Sequence, residues 1–241
     1  MAVIKDFGVI LREYTAGENN KKLALLTRER GKITVFARGG KNAGSKLTAS
    51  LFSYNEFMIF DGGSFLSLTQ IAPIRHFHQI TENFESYCFA CFFLELVDKM
   101  VLAGMEVFDT LALLLQAFSE LEAKRASPYL VFAVFTLKLL QKEGFAPLVD
   151  ACSNCENVLE KDIWFHNEGL ICSNCAQTTS GRVFLSPHTV MAIKYILEAN
   201  YKKAFCFKSS ADVQDQLRAA AGLFLAANVE AEFNSLKMLL I

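Results

Sequence analysis

A chain of 241 residues admits one large domain or two small ones, and its 24 Lys/Arg against 25 Asp/Glu leave it close to neutral. Although 52% of the residues are hydrophobic, Glu95 and Asp98 interrupt the richest apolar stretch, short of the ~18 residues that span a bilayer. The opening Met1 to Asp6 lacks the apolar core and cleavage site of a secretory leader, and seven cysteines without such a leader fit a reducing compartment. The expectation is a cytoplasmic protein with no membrane partner.

Residues 1–80 read as β. Phe7–Tyr14, Lys22–Thr27, Lys32–Ala37, Leu51–Phe60 and Phe65–Ile71 are strand-like. Arg28–Gly31 is a turn in which Gly31 supplies a positive φ, and Asp61–Ser64 carries a hairpin signal. Five short strands in so few residues are too few for a sandwich and suit a small closed barrel of OB-fold type. After Pro73 the apolar period lengthens from two to 3.6. Helices are expected over 83–103, 106–123, 128–142, 187–200 and from Ser210 to about 228, with Ser127-Pro128 and Ser186-Pro187 as cap and first helical residue. The predicted fold class is α+β: an N-terminal five-stranded OB-fold barrel in residues 1–80, then an all-helical domain in 81–241 with a four-cysteine zinc insertion at about 148–182.

Charge divides along the same boundary. Residues 1–80 hold eleven Lys/Arg and six Asp/Glu, and the remainder thirteen and nineteen. The basic segment is the candidate for a polyanion. Arg12, Arg28, Arg30, Lys32, Arg38, Lys41 and Lys46 are the candidate nucleic-acid-binding residues, supplying the electrostatic attraction to phosphates. Tyr14, Phe36, Phe52 and Tyr54 are weighed as base-stacking residues against the alternative that they fill the barrel core.

The sharpest motif lies in the insertion. Cys152-Ser-Asn-Cys155 and Cys172-Ser-Asn-Cys175 are identical tetrads with sixteen residues between them. Paired C-x2-C turns at this spacing aim four thiolates at one point, the donor set of a closed tetrahedral Zn²⁺. A closed site leaves no position for water, so the zinc is expected to be structural, with no catalytic residues. Redox C-x-x-C sites would each open a helix, and neither tetrad begins an apolar-periodic one.

Other signals carry less. Gly39–Lys46 resembles a phosphate-binding loop but has Ser45 before Lys46, the reverse of what Mg²⁺ and phosphate contacts need. Cys88 and Cys91 share one face of an apolar helix and read as core, as does Cys206. His76 and His78 read as surface or linker residues. No nucleophile elbow and no deaminase signature is present, and nothing argues for an enzyme.

The order of parts resembles the bacterial recombination mediator RecO family. The stretches that carry the resemblance are Val9–Tyr14, Leu25–Ile33, Ala37–Lys41, Leu68–Ala72, Glu143–Pro147 before the first tetrad, and Gly169–Cys172 leading into the second. The resemblance implies a non-enzymatic repair factor that binds single- and double-stranded DNA and anneals strands. It implies that, with RecR, such a protein helps load RecA onto DNA coated by single-strand-binding protein. It also implies contact with the acidic, apolar C-terminal tail of that coating protein. The helices offer apolar surface for such a tail, with Lys124, Arg125, Lys138, Lys142, Lys194, Lys202 and Lys203 as the local positive charge. Two readings stay open beside it: an RNA-binding or translation-associated module, and an interaction scaffold that binds no nucleic acid.

Overall fold

The computed structural model describes residues 2–39 and 51–239. The chain forms two compact units, residues 1–123 together with 233–241, and residues 124–232.

The first unit begins with β1 (Ala2–Ala16), β2 (Asn20–Thr27), β3 (Gly31–Ala37), β4 (Ser53–Asp61) and β5 (Leu66–His76). They close into a barrel in the order β1-β2-β3-β5-β4, the OB-like arrangement expected from the sequence. Strand β1 makes the closure. Its first half pairs with β4, from Ala2 opposite Asp61 to Gly8 opposite Asn55. Its second half pairs with β2, from Gly8 opposite Thr27 to Ala16 opposite Asn20. Gly8 belongs to both ladders, and a Cβ there would lie 2.0 Å from the Leu26 carbonyl oxygen. Alternation then sorts the side chains. Leu23, Leu25, Val35, Ala37, Phe57, Ile59, Leu68 and Ile71 form the barrel core, while Lys22, Thr34, Phe36 and Arg38 face outward and are exposed.

Strand β4 starts at Ser53, two residues later than the sequence suggests, because Phe52 takes φ 52°. That turn buries the Phe52 ring edge-on against Tyr87 and Phe118, at 5.6 Å from each. Burying a phenyl ring contributes ~1.5–3 kcal/mol, enough to offset the ~1–2 kcal/mol of left-handed backbone. A short 3₁₀ turn (His78–Glu82) leads to α1 (Phe84–Met100) and α2 (Phe108–Ala123). The Asn83 side chain caps α1 by accepting from the Ser86 amide at 2.8 Å. Helix α1 is apolar on most sides, burying Cys88, Phe89, Phe92, Phe93 and Leu96 among others. It ends three residues earlier than its periodicity predicts, since Ala103 pairs with Lys32 of β3 instead. Helix α7 (Asn234–Lys237) returns to α1, where Phe233 meets Phe92 edge-on at 4.9 Å and Ser235 donates to Glu95 at 3.2 Å.

The second unit contains α3 (Pro128–Lys142), β6 (Ile163–His166), β7 (Gly169–Ile171), α4 (Ser173–Thr178), β8 (Val183–Leu185), α5 (Pro187–Glu198) and α6 (Ala211–Asn228). Ser127 and Ser186 cap α3 and α5 as expected, each followed by proline at the first helical position. Helices α3, α5 and α6 pack on one another. The expected insertion is more ordered than a loop: β6, β7 and β8 form a sheet in the order β7-β6-β8. Phe165 of β6 meets Phe224 of α6 edge-on at 6.1 Å, which fixes the sheet to the helices. Among the described residues no helix is long and apolar enough to cross a membrane.

The shared position of Gly8 makes a stability prediction. Gly8→Ala must displace backbone and is expected to cost about 2–3 kcal/mol. Gly17→Ala, at φ +74° with open space around it, is expected to cost only about 1 kcal/mol. Urea midpoints of the two variants check the order.

Candidate nucleic-acid interface and metal centre

The turn between β2 and β3 carries two of the basic candidates, and it is anchored from below. The buried carboxylate of Asp6 accepts from the amides of Phe7 at 2.7 Å and Glu29 at 3.2 Å. The Arg28 amide donates to the Phe7 carbonyl at 2.8 Å. Gly31, at φ 68°, lets the turn close, and its Cα faces the Met105 carbonyl so tightly that a Cβ would sit 2.4 Å away. The side chains on this turn therefore project from a fixed base.

Each basic candidate has a definite surrounding. Arg12 lies over the Tyr14 ring at 4.9 Å and 3.9 Å from Asp98. Arg28 pairs with Glu29 at 3.3 Å and lies over Phe108 at 5.7 Å. Arg30 is 3.7 Å from Asp61, and Arg38 lies over Phe65 at 6.0 Å. Lys32 is held inside the unit: its ammonium sits 3.0 Å from Asp98 and also donates to the Asp98 carbonyl. The Arg28–Glu29 pair is largely solvated and worth ~0–1 kcal/mol, so a phosphate competes with it readily, while Arg12 and Arg30 meet their carboxylates only at long range, 3.9 and 3.7 Å. Lys41 and Lys46, with most of the glycine-rich loop, lie outside the described residues.

Of the four aromatic candidates, Phe52 is core, Tyr54 is half-buried, and Tyr14 and Phe36 are surface. Phe52 is 3% exposed. Tyr54 stacks on Phe7 at 6.5 Å, and burial raises its pKa, with Arg28 opposing and Asp6 adding to the shift. Tyr14 and Phe36 are 40% and 41% exposed. The register sets them in one row, since Tyr14 is opposite Lys22 and Lys22 is opposite Phe36. Lys22 was not among the sequence candidates. Only the strand register reveals that it stands between two outward aromatics.

In the second unit the four cysteines converge. Their sulfurs all lie within 4.8 Å of one another, with 3.8 Å between Cys155 and Cys172. Four sulfurs at ~2.3 Å from a tetrahedral zinc ion are ~3.8 Å apart, so the cluster fits such an ion with little adjustment. The first tetrad is a tight knuckle in which Glu156, at φ 61°, donates its amide to the Cys152 carbonyl at 2.8 Å. The second differs from expectation, because Cys172 is the residue before a helix, the short α4 that carries Cys175. The Cys172 amide donates to the Cys152 sulfur at 3.3 Å. Burial pushes the Cys152 thiol up, yet the amides of Cys172, Asn154 and Cys155 outweigh it and bring the pKa down to about 6. The Cys155 sulfur, next to Cys175, is chiefly what pushes the Cys175 thiol up to about 12. Three thiols outside the cluster have separate settings. Cys88 is buried as expected, Cys91 is half-buried and raised to about 11 chiefly by burial, and Cys206 is exposed rather than core.

With these geometries in place, comparisons with known proteins are specific. Residues 1–77 match the family model described as Recombination protein O N terminal, and residues 81–237 match Recombination protein O C terminal. The chain belongs to the RecO family. A relative from Acetivibrio thermocellus, named DNA repair protein RecO, is 25% identical over 240 residues, covering 98% of this chain and 96% of its own. One of the same name from Bacillus pumilus is 34% identical over 191 residues, covering 77% of this chain and 73% of its own. Another from Clostridium acetobutylicum is 26% identical over 244 residues, covering 99% and 98%.

The cluster makes a metal prediction. Binding must expel the protons of Cys155 and Cys175, both of which are raised, so apparent Zn²⁺ affinity is expected to climb with pH between 6 and 9. Below about pH 6 Cys152 is protonated as well, and binding should weaken steeply. Chelator competition across this range checks the sign. Metal-free protein, or Cys152→Ser, is expected to melt at lower temperature than the metal-loaded chain.

Proposed function

We propose that this protein is a DNA-repair recombination mediator of the cytoplasm, without enzymatic activity of its own. It binds and anneals single-stranded DNA, binds duplex, and with RecR helps load RecA onto DNA coated by single-strand-binding protein. The observation that carries the reading is the outward basic face and turn of an OB-like barrel in a RecO-family chain. Residues 1–80 are the DNA-binding domain in this reading, with Arg12, Arg28, Arg30, Arg38, Lys41 and Lys46 as the contacts, while Lys32, engaged by Asp98, serves the packing of the unit instead. Residues 81–241 form the helical domain that carries the zinc insertion and the partner site.

Zn²⁺ is the metal of the insertion, held by Cys152, Cys155, Cys172 and Cys175. Its role is structural, because four thiolates fill the coordination shell and leave no place for a reacting water. The acidic tail of single-strand-binding protein is the partner of the second unit. A groove of about 530 Å³ beside α5, lined by Met191, Tyr195, Phe207, Lys208 and Val213, supports this. Lys138 is engaged by the Leu197 carbonyl and Lys194 by Asp150. Lys208 supplies positive charge at the groove itself, with Lys202 and Lys203 on the preceding segment.

Annealing of complementary strands coated by single-strand-binding protein tests the whole reading. Acceleration by this protein is the expected result, and no effect on naked or coated strands would falsify it. Two variants address the parts. Changing Arg38, Lys41 and Lys46 together to Ala should flatten the log K against log[salt] slope by about 2–3, at ~0.7–0.9 per lost phosphate contact. Met191→Glu should weaken binding of a fluorescent acidic tail peptide about tenfold while leaving DNA affinity unchanged.

A further inference from the structure

Resting on the DNA-binding reading above, we propose that Tyr14 and Phe36 form a stacking platform for two unpaired bases, with the Lys22 ammonium between them for the intervening phosphate. This assigns single-stranded DNA, rather than duplex, as the preferred ligand of the β1-β2-β3 face.

The argument is one of register and exposure. Tyr14, Lys22 and Phe36 are directly opposite one another on three adjacent strands, so their side chains share one face. The two aromatic positions are two strand spacings apart, about 10 Å. Both rings are about two-fifths exposed, whereas Phe52 of the same barrel is almost fully buried. Single exposed aromatics are ordinary on protein surfaces. Two in one row, separated by a lysine, are not explained by packing. Cations already lie against these rings, Arg12 over Tyr14 at 4.9 Å and Lys22 over Phe36 at 6.0 Å. The row continues toward the β4–β5 hairpin, where Arg38 lies over the exposed ring of Phe65 at 6.0 Å. Alternating cations and rings suit a strand that offers a phosphate and a π-face at every step. A duplex offers the phosphates but keeps its base faces inside the stack, so only the cations can engage it.

The test uses the full-length chain and two probes, a labelled oligo(dT) and a blunt duplex of equal length, at one salt concentration. Tyr14→Ala and Phe36→Ala are each expected to weaken oligo(dT) binding about tenfold, the factor that ~1.4 kcal/mol of lost stacking gives. Duplex affinity and its salt slope should stay within about twofold of the parent, which also shows that the variants are folded. Tyr14→Phe should retain oligo(dT) affinity, because the ring remains. Phe36→Trp should show indole fluorescence quenched by oligo(dT) but not by duplex. Equal losses on both probes, or none on oligo(dT), would overturn the platform while leaving the DNA-binding reading intact. If the unaltered chain bound neither probe, that underlying reading would fall, and the platform with it.

Discussion

One strand has to serve two ladders, and the rest of the barrel follows from that. Strand β1 runs from Ala2 to Ala16, nearly three times the length of an ordinary strand of ~5–6 residues. It pairs with β4 on one side and β2 on the other, and the two ladders overlap at Gly8. Five strands enclose only enough space for side chains, so the sheet must bend sharply to close. The bend brings the β2 backbone against Gly8, where only a hydrogen fits. A register shift between Ile10 and Arg12 then redirects the second half of β1. Because side-chain direction has period two, this register decides which face each residue takes. Tyr14 stands opposite Lys22, and a slip of one residue in β2 would turn Lys22 and its outward neighbours into the core.

Much of this was legible in the chain, for identifiable reasons. The five strands were visible because each buries one face, and buried faces leave an alternating pattern in Leu23, Leu25, Val35 and Ala37. Helix starts were visible at Ser127 and Ser186 because capping is local chemistry. The four cysteines were visible because metal ligands have fixed spacing. Features set by tertiary contact were not visible. The end of α1 was misplaced because Ala103 leaves the helix to pair with Lys32, and helical propensity says nothing about that partner. Strands β6 to β8 have three or four residues each, too few for a period to register. The exposure of Cys206 and the place of Lys22 between two rings depend on neighbours that no local pattern contains.

The cysteine module illustrates a core too small to stand on its apolar residues. Its buried cluster is Cys152, Ile171 and Ala176, with Leu159 and Trp164 partly buried against it. Two of these are full-sized aliphatic side chains and one is an indole, which is far less than a domain buries. The thiolate knot stands where further apolar residues would otherwise be needed. Without a metal the same geometry is strained electrostatically: one thiol is drawn down to about 6 and its neighbour driven up to about 12. A divalent cation at the centre reverses that opposition by favouring all four thiolates at once. The module is closed on itself by Leu148 pairing with Gly169 and held to α6 by Phe165 against Phe224. Its order therefore bears on the packing of α6.

A sequence pI near 6.4 looks wrong for a protein that meets DNA. Polyelectrolyte attraction, however, is set by the charges within about a Debye length of the phosphates, ~8 Å at physiological salt, and not by the chain total. Within residues 1–80 the basic excess is eleven against six, and several of its acidic groups are already matched. Glu13 holds Lys21 at 2.7 Å, Glu56 holds Lys5 at 2.8 Å and Asp61 lies 3.7 Å from Arg30. What remains is a modest positive field over a face that also presents rings. Under the proposed platform, such a surface would bind a strand weakly through charge and gain the rest through stacking, which salt screens far less. In the proposed annealing role, that balance would serve release of strands for pairing better than a strongly basic groove.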